Sequence, residues 1–367
     1  MLLQVEGFDH YGAGNFNTTS TVMHHYFQSN GFTPPTAGMV SNAAYGKRTG
    51  SLGVRLTSVT PANTTAKWIE KDVRPEQYKD AASWGDKWEN LIFFRFAFRI
   101  ALSLTGRLVF FRAGGVEISV GTDWNMYVKI GSDAEVNIGY PLELNIWNFM
   151  EVEFNKTENK LRVWMNDFTA YEVDLPAPVF AKYEICAYYA TGGTAHAIID
   201  IDDFSMNDGS GEINNDRLGK TYVQTRYPTS DDVVQMSRSA GAANYLNVNE
   251  ATPNNDTNYV FSHVPGATDF YKNTTPIDAI DDSAVCAVVV IPAARMVEPD
   301  ALSITAVVKS GDDEQEGGRM KLKAASYTSE KHIFEVDPST NMRWTPSDVE
   351  AASFGVRILD RDLVSPR

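Results

Sequence analysis

The segment that decides the fold is Trp147-Asn148-Phe149-Met150-Glu151-Val152-Glu153-Phe154, followed after six polar residues by Leu161-Arg162-Val163-Trp164-Met165-Asn166-Asp167-Phe168. Apolar side chains recur at every second position in both halves, which is the period of a β-strand with one buried face. A loop over Lys156–Asn159 would join the two strands as a β-hairpin. The pairs that this loop predicts are Phe154 with Leu161, Glu153 with Arg162, and Glu151 with Trp164.

The same pattern continues through most of the 367 residues. Short segments rich in Val, Ile, Phe, Tyr and Trp alternate with turns that contain Gly, Asn, Asp and Pro, whereas helical spacing is almost absent. A chain of this length exceeds one ordinary core and predicts about two domains. We therefore expect an all-β protein, with a jelly-roll sandwich followed by a second, smaller β-sandwich domain.

A composition break separates the two predicted domains. Nine of the ten residues of Asn207–Asp216 are turn formers or acids. We expect the first domain over residues 1–207, a linker over 208–215 and a second β domain over 216–367. Its predicted elements are strands at Thr221–Arg226, Val285–Ile291, Ser303–Lys309, Met320–Ala325 and Phe354–Leu359, an acidic loop at Gly311–Gly318, and a helix at Thr345–Ala352 capped by Thr345.

Charge and hydropathy argue against several classes of function. The 32 basic and 47 acidic side chains give a net charge of −15, which repels nucleic-acid phosphates and anionic membranes. The sequence contains neither a secretion signal at its start nor an apolar run of membrane-spanning length. Cys186 and Cys286 lie in separate apolar segments, which predicts buried free thiols and synthesis in a reducing cytoplasm.

Glu151 and Glu153 form the sharpest enzymatic pattern. They face the same side of one strand, roughly 6.6 Å apart, which invites comparison with the paired carboxylates of glycoside hydrolases. However, Asn155 occupies the next position on that face, and Arg162 offers Glu153 an ordinary cross-strand ion pair. We expect a solvated sheet face and no enzyme, with a glycoside hydrolase as the lesser alternative.

Trp164 is the best candidate for binding, together with its neighbours Glu151 and Arg162. An aromatic ring on a polar sheet face can stack on a sugar or anchor a neighbouring protein. The alternative is a ring covered by an overlying loop of its own domain. Trp84 and Trp88 lie in another polar region and allow the same two interpretations.

Metal-ligating patterns are weak. The acids of Asp200-Ile201-Asp202-Asp203, with Asp208, Ser210 and Glu212, could supply oxygen ligands to calcium, but their spacing fits no EF-hand loop. A strand end followed by a turn accounts for them equally well. The six histidines form no zinc or triad spacing, so we expect no cofactor, with calcium as the remaining option.

Several segments resemble one family of proteins. They are Val5–Tyr11, the hairpin just described, Ile201–Phe204 with Gly209–Gly219, Tyr227-Pro228, Asn244-Tyr245, Val248–Ala251, Asp256–Val260 and Phe354–Arg357. Together they resemble virion structural proteins of tailed bacteriophages that carry a concanavalin-A-like or laminin-G-like lectin domain. The resemblance implies a concanavalin-A-like sandwich and a tail or minor structural protein of the virion, assembled in the host cytoplasm, and it transfers no catalytic residue.

The resemblance leaves the place on the virion open. A tail-associated or fibre-like appendage is favoured over a capsid decoration, and the partners implied are other virion structural proteins and host-surface glycans. Because Val285–Ile291 is apolar on both faces, we also expect a homo-oligomer, with a trimer favoured.

Overall fold

The computed structural model describes residues 1–11, 14–15, 32–33, 39–48, 51–57, 68–72, 91–175, 182–191, 195–251, 254, 256–277, 284–297, 303–324 and 326–360. The chain forms two compact units, Met1–Val223 and Gln224–Arg367. Residues 208–215, predicted as a linker, and 216–223, predicted to begin the second domain, both belong to the first unit. One physical reason is Asn207, whose side-chain amide donates hydrogen bonds to the carbonyl oxygens of Asn214 and Asp216 at 2.6 and 3.1 Å.

The first unit is built from sixteen described strands. They are β1 Leu2–Glu6, β2 Gly14–Asn15, β3 Phe32–Thr33, β4 Met39–Asn42, β5 Gly53–Thr57, β6 Trp68–Asp72, β7 Leu91–Ile100, β8 Arg107–Ala113, β9 Val116–Val120, β10 Asn125–Ile130, β11 Val136–Pro141, β12 Asn148–Asn155, β13 Lys160–Met165, β14 Phe168–Asp174, β15 Lys182–Thr191 and β16 Ile198–Asp208.

These strands pair into two antiparallel sheets. The first sheet has the order β14-β13-β12-β7-β16-β5-β4-β2, with β1 also paired to β16, and the second has the order β11-β10-β9-β8-β15-β6-β3. Late strands lie between early ones in both sheets, which gives the crossed connections of a jelly roll. The all-β prediction and the concanavalin-A-like sandwich are confirmed.

Aromatic side chains of β7 and β8 fill the space between the sheets. Phe94 contacts Phe111 at a ring-centroid distance of 5.4 Å, and Phe98 stacks on Phe110 at 4.8 Å. All four rings are fully buried. Because side chains alternate along a strand, the residues between them point to the opposite face of each sheet.

The predicted hairpin is confirmed in register. Strands β12 and β13 place Phe154 opposite Leu161, Glu153 opposite Arg162 and Glu151 opposite Trp164. The second strand is shorter than predicted, since β13 ends at Met165 and Phe168 begins β14. Asn166 and Asp167 have φ angles of 50° and 72°, which form the tight turn that Asn and Asp tolerate.

The second unit contains fourteen described strands and one α-helix. They are β17 Ser230–Val233, β18 Ser237–Arg238, β19 Val260–Phe261, β20 Thr268–Lys272, β21 Val288–Val290, β22 Ala293–Ala294, β23 Ser303–Ser310, β24 Asp313–Glu316, β25 Met320–Lys321, β26 Thr328–Ser329, β27 His332–Phe334, β28 Val336–Asp337, β29 Met342–Arg343, β30 Ser353–Leu359 and α1 Pro346–Ala351.

A six-stranded sheet in the order β17-β20-β30-β23-β24, with β25 on β23, forms the main layer of this unit. Two-stranded pairs β18-β19, β21-β27, β22-β26 and β28-β29 complete its described strands. Trp344 is almost fully buried against Phe334 and Val308, and its indole nitrogen donates to the carbonyl of Phe334 at 3.0 Å. The second β region is thus a smaller, separate sheet structure.

Several predicted elements of the second domain are correct. Strands β23 and β30 match the predictions at Ser303–Lys309 and Phe354–Leu359. The helix is confirmed with its cap, because the Thr345 hydroxyl accepts from the Asp348 backbone while the Asp348 carboxylate accepts from the Thr345 backbone.

Other predicted elements are wrong. Thr221–Arg226 contains no strand, Val285–Ile291 forms a strand only over Val288–Val290, and Met320–Ala325 only over Met320–Lys321, with Ala325 outside the described residues. Gly311–Gly318 is not simply a loop, since Asp313–Glu316 pairs with β23 as a hairpin strand. Apolar content alone overestimated strand length, because residues 285–291 are only half-buried. None of the described helices has the length and apolarity to cross a membrane.

Candidate functional site

The candidate site predicted from the sequence lies on the outward face of the first sheet, which we call the charged face: the outward side chains of β7, β12, β13 and β16. This face is not solvated as predicted, since all eight residues of β12 are buried. Residues 209–223, which we call the strap, supply part of the cover. Val223 donates its backbone N–H to Asp203 at 2.8 Å, and the Thr221 and Ser205 hydroxyls lie 3.4 Å apart.

Glu151 is held between two arginines. Arg95 donates from Nε to Glu151 Oε1 at 3.0 Å, and Arg217 Nε of the strap lies 2.7 Å from Glu151 Oε2. Arg95 is fully buried and also contacts Ser205 and Asn207. A buried carboxylate with a cation beside each oxygen has the arrangement of a structural ion pair.

Glu153 belongs to a second ion-pair group. Its Oε1 accepts from Arg162 at 2.8 Å and from Asn155 at 3.0 Å. Burial raises the pKa of Glu153, against the lowering effects of the Asn155 and Arg162 hydrogen bonds. Arg162 also donates to Glu172 and Glu158, whose hydrogen bonds raise the pKa of the guanidinium.

Trp164 is 9% exposed. The guanidinium of Arg217 lies over the indole ring at 4.8 Å, which is cation–π distance. The place that a sugar would take on this ring is therefore occupied by the strap. Trp164, Glu151 and Arg162 do come together as predicted, and each has partners within its own unit. Their role in binding stays a prediction, and Trp84 and Trp88 lie outside the described residues.

The acidic end of β16 forms a third group. Asp200 is paired with Arg55 and Arg99, each at 2.7 Å, and Asp203 accepts two hydrogen bonds from Arg48 Nη1 at 2.7 and 2.8 Å. Both carboxylates are fully buried. Asp202 accepts hydrogen bonds from the backbone of Lys47 at 2.8 Å and from the Ser51 hydroxyl at 3.3 Å. Its burial, followed by the adjacent charge of Asp203, raises the pKa of Asp202 to about 7.

Calcium finds little support in this arrangement. Arginines rather than open space face Asp200 and Asp203, and Asp208 accepts from the Ser210 backbone and hydroxyl at 3.0 and 2.6 Å. In the described part of the chain, no three His, Cys, Asp or Glu side chains are grouped as a metal site would need.

Sequence reasoning correctly identified Arg162 as the ion-pair partner of Glu153, but it missed the other arginines that pair with these acids. Arg95 carried a signal, because it is the only charged residue of the apolar segment Leu91–Phe98. Such a residue on a strand predicts a buried partner, since a lone buried charge is costly. Arg217 carried no comparable signal, because its partner Glu151 is 66 residues away in a segment without regular structure.

Comparisons with known proteins give information on the fold alone. No protein-family model matches the chain, and no curated protein matches it. Among solved structures, the cellulose-induced protein Cip1 matches 52% of this chain and 93% of its own, with 11% identity and a TM-score of 0.39. A family 7 alginate lyase matches 53% of this chain and 93% of its own, with 13% identity and a TM-score of 0.38.

Two further solved structures also match part of this chain. A carbohydrate esterase from the Shiga toxin-encoding bacteriophage phi24B matches 55% of this chain and 98% of its own, with 14% identity and a TM-score of 0.36. A sialidase matches 56% of this chain with 12% identity and a TM-score of 0.39, and this chain spans only 18% of the sialidase. These are distant matches to concanavalin-A-like β-sandwich proteins, and none of their activities is carried over to this chain.

Proposed function

We propose that this chain is a non-enzymatic structural protein of a tailed-bacteriophage virion, in a tail-associated or fibre-like appendage, and that it assembles through protein–protein contacts after synthesis in the host cytoplasm. The virion assignment rests on the sequence resemblance. The non-enzymatic role is supported by one structural observation, which is that the carboxylates of the charged face are buried in ion pairs.

The glycoside-hydrolase alternative needs one carboxylate that attacks or activates water and a second that donates a proton. Glu153 has the raised pKa of a proton donor, but its side chain is only 7% exposed and is bonded to Arg162. Glu151 is the carboxylate that shares this strand face with Glu153. Its side chain is 1% exposed and lies between Arg95 and Arg217. Glu151 and Glu153 therefore have the properties of a structural ion-pair network. This observation is compatible with a tail component and with a capsid decoration alike.

Exposed apolar side chains support a role in protein contacts. Phe168 is 74% exposed at the start of β14, and Ile146 is 50% exposed next to the hydrogen bonds that join Asn166, Asn148 and Tyr140. The second unit exposes Val297 by 75% and Met342 by 66%. Each of these side chains would bury apolar area in a contact with another protein, which is the term that drives most protein association.

A homo-oligomer, with a trimer favoured, remains part of the proposal. Val288 and Val290 pack against the cluster around Trp344, yet the whole segment 285–291 stays half-buried. A strand with apolar side chains on both faces and incomplete cover can be completed by a second copy. Sedimentation equilibrium of the full chain tests this, and a monomer at micromolar concentration would contradict it.

Two measurements test the main proposal. Antibodies against the purified chain should label intact particles of the phage that encodes it, with label at the tail for an appendage and over the head for a capsid decoration. The purified chain should release no sugar from a panel of bacterial polysaccharides. Sugar release that Glu151→Gln or Glu153→Gln abolishes would overturn the non-enzymatic role, and unlabelled particles would overturn the virion role.

A further inference from the structure

His332 of β27 is a buried titratable side chain that the proposed function does not use. It is 4% exposed, and its imidazole Nε2 is shielded from solvent. Among the described residues, none offers Nε2 a hydrogen bond. A buried polar atom in this state is costly, and the cost rises steeply if the group becomes charged. The second unit therefore accommodates His332 as a neutral imidazole.

Two backbone segments border His332. Its strand pairs with β21, and His332 lies opposite Val290 in this register. The backbone of Gly317 is packed against the ring, because a Cβ at Gly317 would lie 2.8 Å from His332 Cγ and closer still to Nδ1. A charged imidazole needs water or a hydrogen-bond acceptor. To gain either one, it would have to displace one of these two segments.

The strand pair is the part of this arrangement that can open. β21 and β27 have three residues each and form a two-stranded pair, and Val288–Val290 is only half-buried. Such a pair is marginally stable by itself. The turn is better anchored, because Gly317 donates its N–H to the carbonyl of Ala306 at 2.8 Å and accepts from the Thr305 hydroxyl at 3.0 Å. Strain at the ring would therefore separate β21 from β27 first.

Burial lowers the pKa of His332 to about 4, from an ordinary value of 6.5. Strand β21 carries no charge, and the charged side chains of the turn and of the chain beside β27 are Glu316, Arg319, Glu330, Lys331 and Glu335. Glu316 is paired with Arg357, and Arg319 donates to the carbonyl of Asp360. Because the folded-state pKa lies below the unfolded value, the stability that neutral His332 contributes is complete above about pH 6.5 and is lost as the pH falls towards 4.

We propose that His332 is an acid-sensitive switch of the second unit. While the imidazole is neutral, β27 stays paired with β21. A proton taken from solvent favours an open state, in which the two strands separate and the apolar side chains of Val288–Val290 become exposed. This inference goes beyond the assembly role and does not depend on it, because it concerns only contacts within the second unit.

Hydrogen exchange of the full chain, followed by mass spectrometry of its peptides, tests the switch. Protection factors correct for the intrinsic effect of pH on exchange. For Val288–Val290 and His332–Phe334 they should fall by roughly 20-fold between pH 7 and pH 5, as the two pKa values of His332 require. Strand β12 of the first unit should lose no protection over this range. Constant protection of both second-unit segments would overturn the proposal.

His332→Gln replaces the imidazole with a neutral amide that cannot be protonated in this range. It should remove the fall in protection between pH 7 and pH 5, and His332→Met serves the same purpose if the glutamine variant does not fold. His263→Gln changes an exposed histidine of the same unit and should behave as the unchanged chain does. A fall in the His332 variants equal to that of the unchanged chain would overturn the proposal.

Gly317→Ala tests the contact with the ring at constant pH. The added Cβ would force the imidazole away from the turn, so the protection of Val288–Val290 should be reduced at pH 7 already. Gly318→Ala is the matched control, because a Cβ at Gly318 meets no atom of the described residues within 4 Å. Equal protection in the two alanine variants would show that the imidazole does not hold the strand pair, and would overturn the proposal. None of these results alters particle labelling or sugar release, so the two proposals fail separately.

Discussion

The two polar regions of the sandwich use the same residue types in opposite ways. On the charged face, Arg217 lies over Trp164 at 4.8 Å and pairs with Glu151. A surface depression lined by Arg107, Asp123 and Tyr127, which we call the pocket, has a similar set, since Arg107 lies over Tyr127 at 4.1 Å and pairs with Glu135. Glu151 is 1% exposed, whereas Asp123 of the pocket is open to solvent. The same three residue types are therefore buried in one region and open to solvent in the other, according to the cover over them.

The largest difference between the two regions should appear in stability. Arg95→Ala leaves the buried Glu151 with Arg217 alone and should lower the free energy of unfolding by roughly 3–5 kcal/mol. Arg107→Ala removes a partly exposed ion pair and should cost about 0–1 kcal/mol. Urea unfolding of both variants measures the contrast, and equal losses would show that the charged face is no more locked than the pocket.

The pH dependence sharpens the same contrast. Asp202 has a folded-state pKa of about 7, above its ordinary value of 3.8, so the stability it contributes is complete below about pH 4 and is lost as the pH rises to 7. Asp203, Arg48, Lys47 and, further away, Asp9 are the charged groups around it.

Asp202→Asn should therefore flatten the stability profile and make the chain more stable than the unchanged protein above pH 7, by on the order of 2 kcal/mol. Unfolding free energies at intervals from pH 4 to 8 provide the measurement. Asp133→Asn changes an exposed carboxylate and serves as the control. A profile for Asp202→Asn that runs parallel to that of the unchanged chain would contradict this assignment.

Substitution of Arg217 in the strap should have an intermediate effect on the free energy of unfolding. Arg217→Ala removes both the Glu151 ion pair and the contact with Trp164, and should lower the unfolding free energy by about 1–3 kcal/mol. Arg217→Lys keeps the charge but not the planar stack, so it should recover only part of this loss. Limited proteolysis should then cut the alanine variant first within residues 209–223. Unchanged protection of that segment would mean that other contacts hold it.

The sequence allowed the hairpin register, the sandwich and the capped helix to be predicted, because each depends on neighbouring residues. The alternation of Met150, Val152 and Phe154 determines which side chains of the strand point into the sandwich, whatever lies elsewhere in the chain. The burial of Glu151 and Trp164 could not be predicted in this way, since it depends on Arg217 in a segment without strand or helix periodicity. The pocket was missed for the same reason, because Arg107 and Asp123 meet only through sheet pairing.

A small effect on stability is also expected from Gly121→Ala, which tests how tightly the wall of the pocket is packed. The added Cβ would meet Asp123 Oδ1 and the Tyr127 ring, which are the ends of side chains that can shift into solvent, so the free energy of unfolding should fall by only about 0.5–1 kcal/mol. The carboxylate of Asp123 would leave the position set by its hydrogen bonds with Asn125 and Tyr127. Urea unfolding measures this loss, and Ser132→Ala, on an exposed turn, is the control. A loss well above about 1 kcal/mol would show that Asp123 and Tyr127 cannot shift into solvent, and that the wall of the pocket is as tightly packed as the charged face.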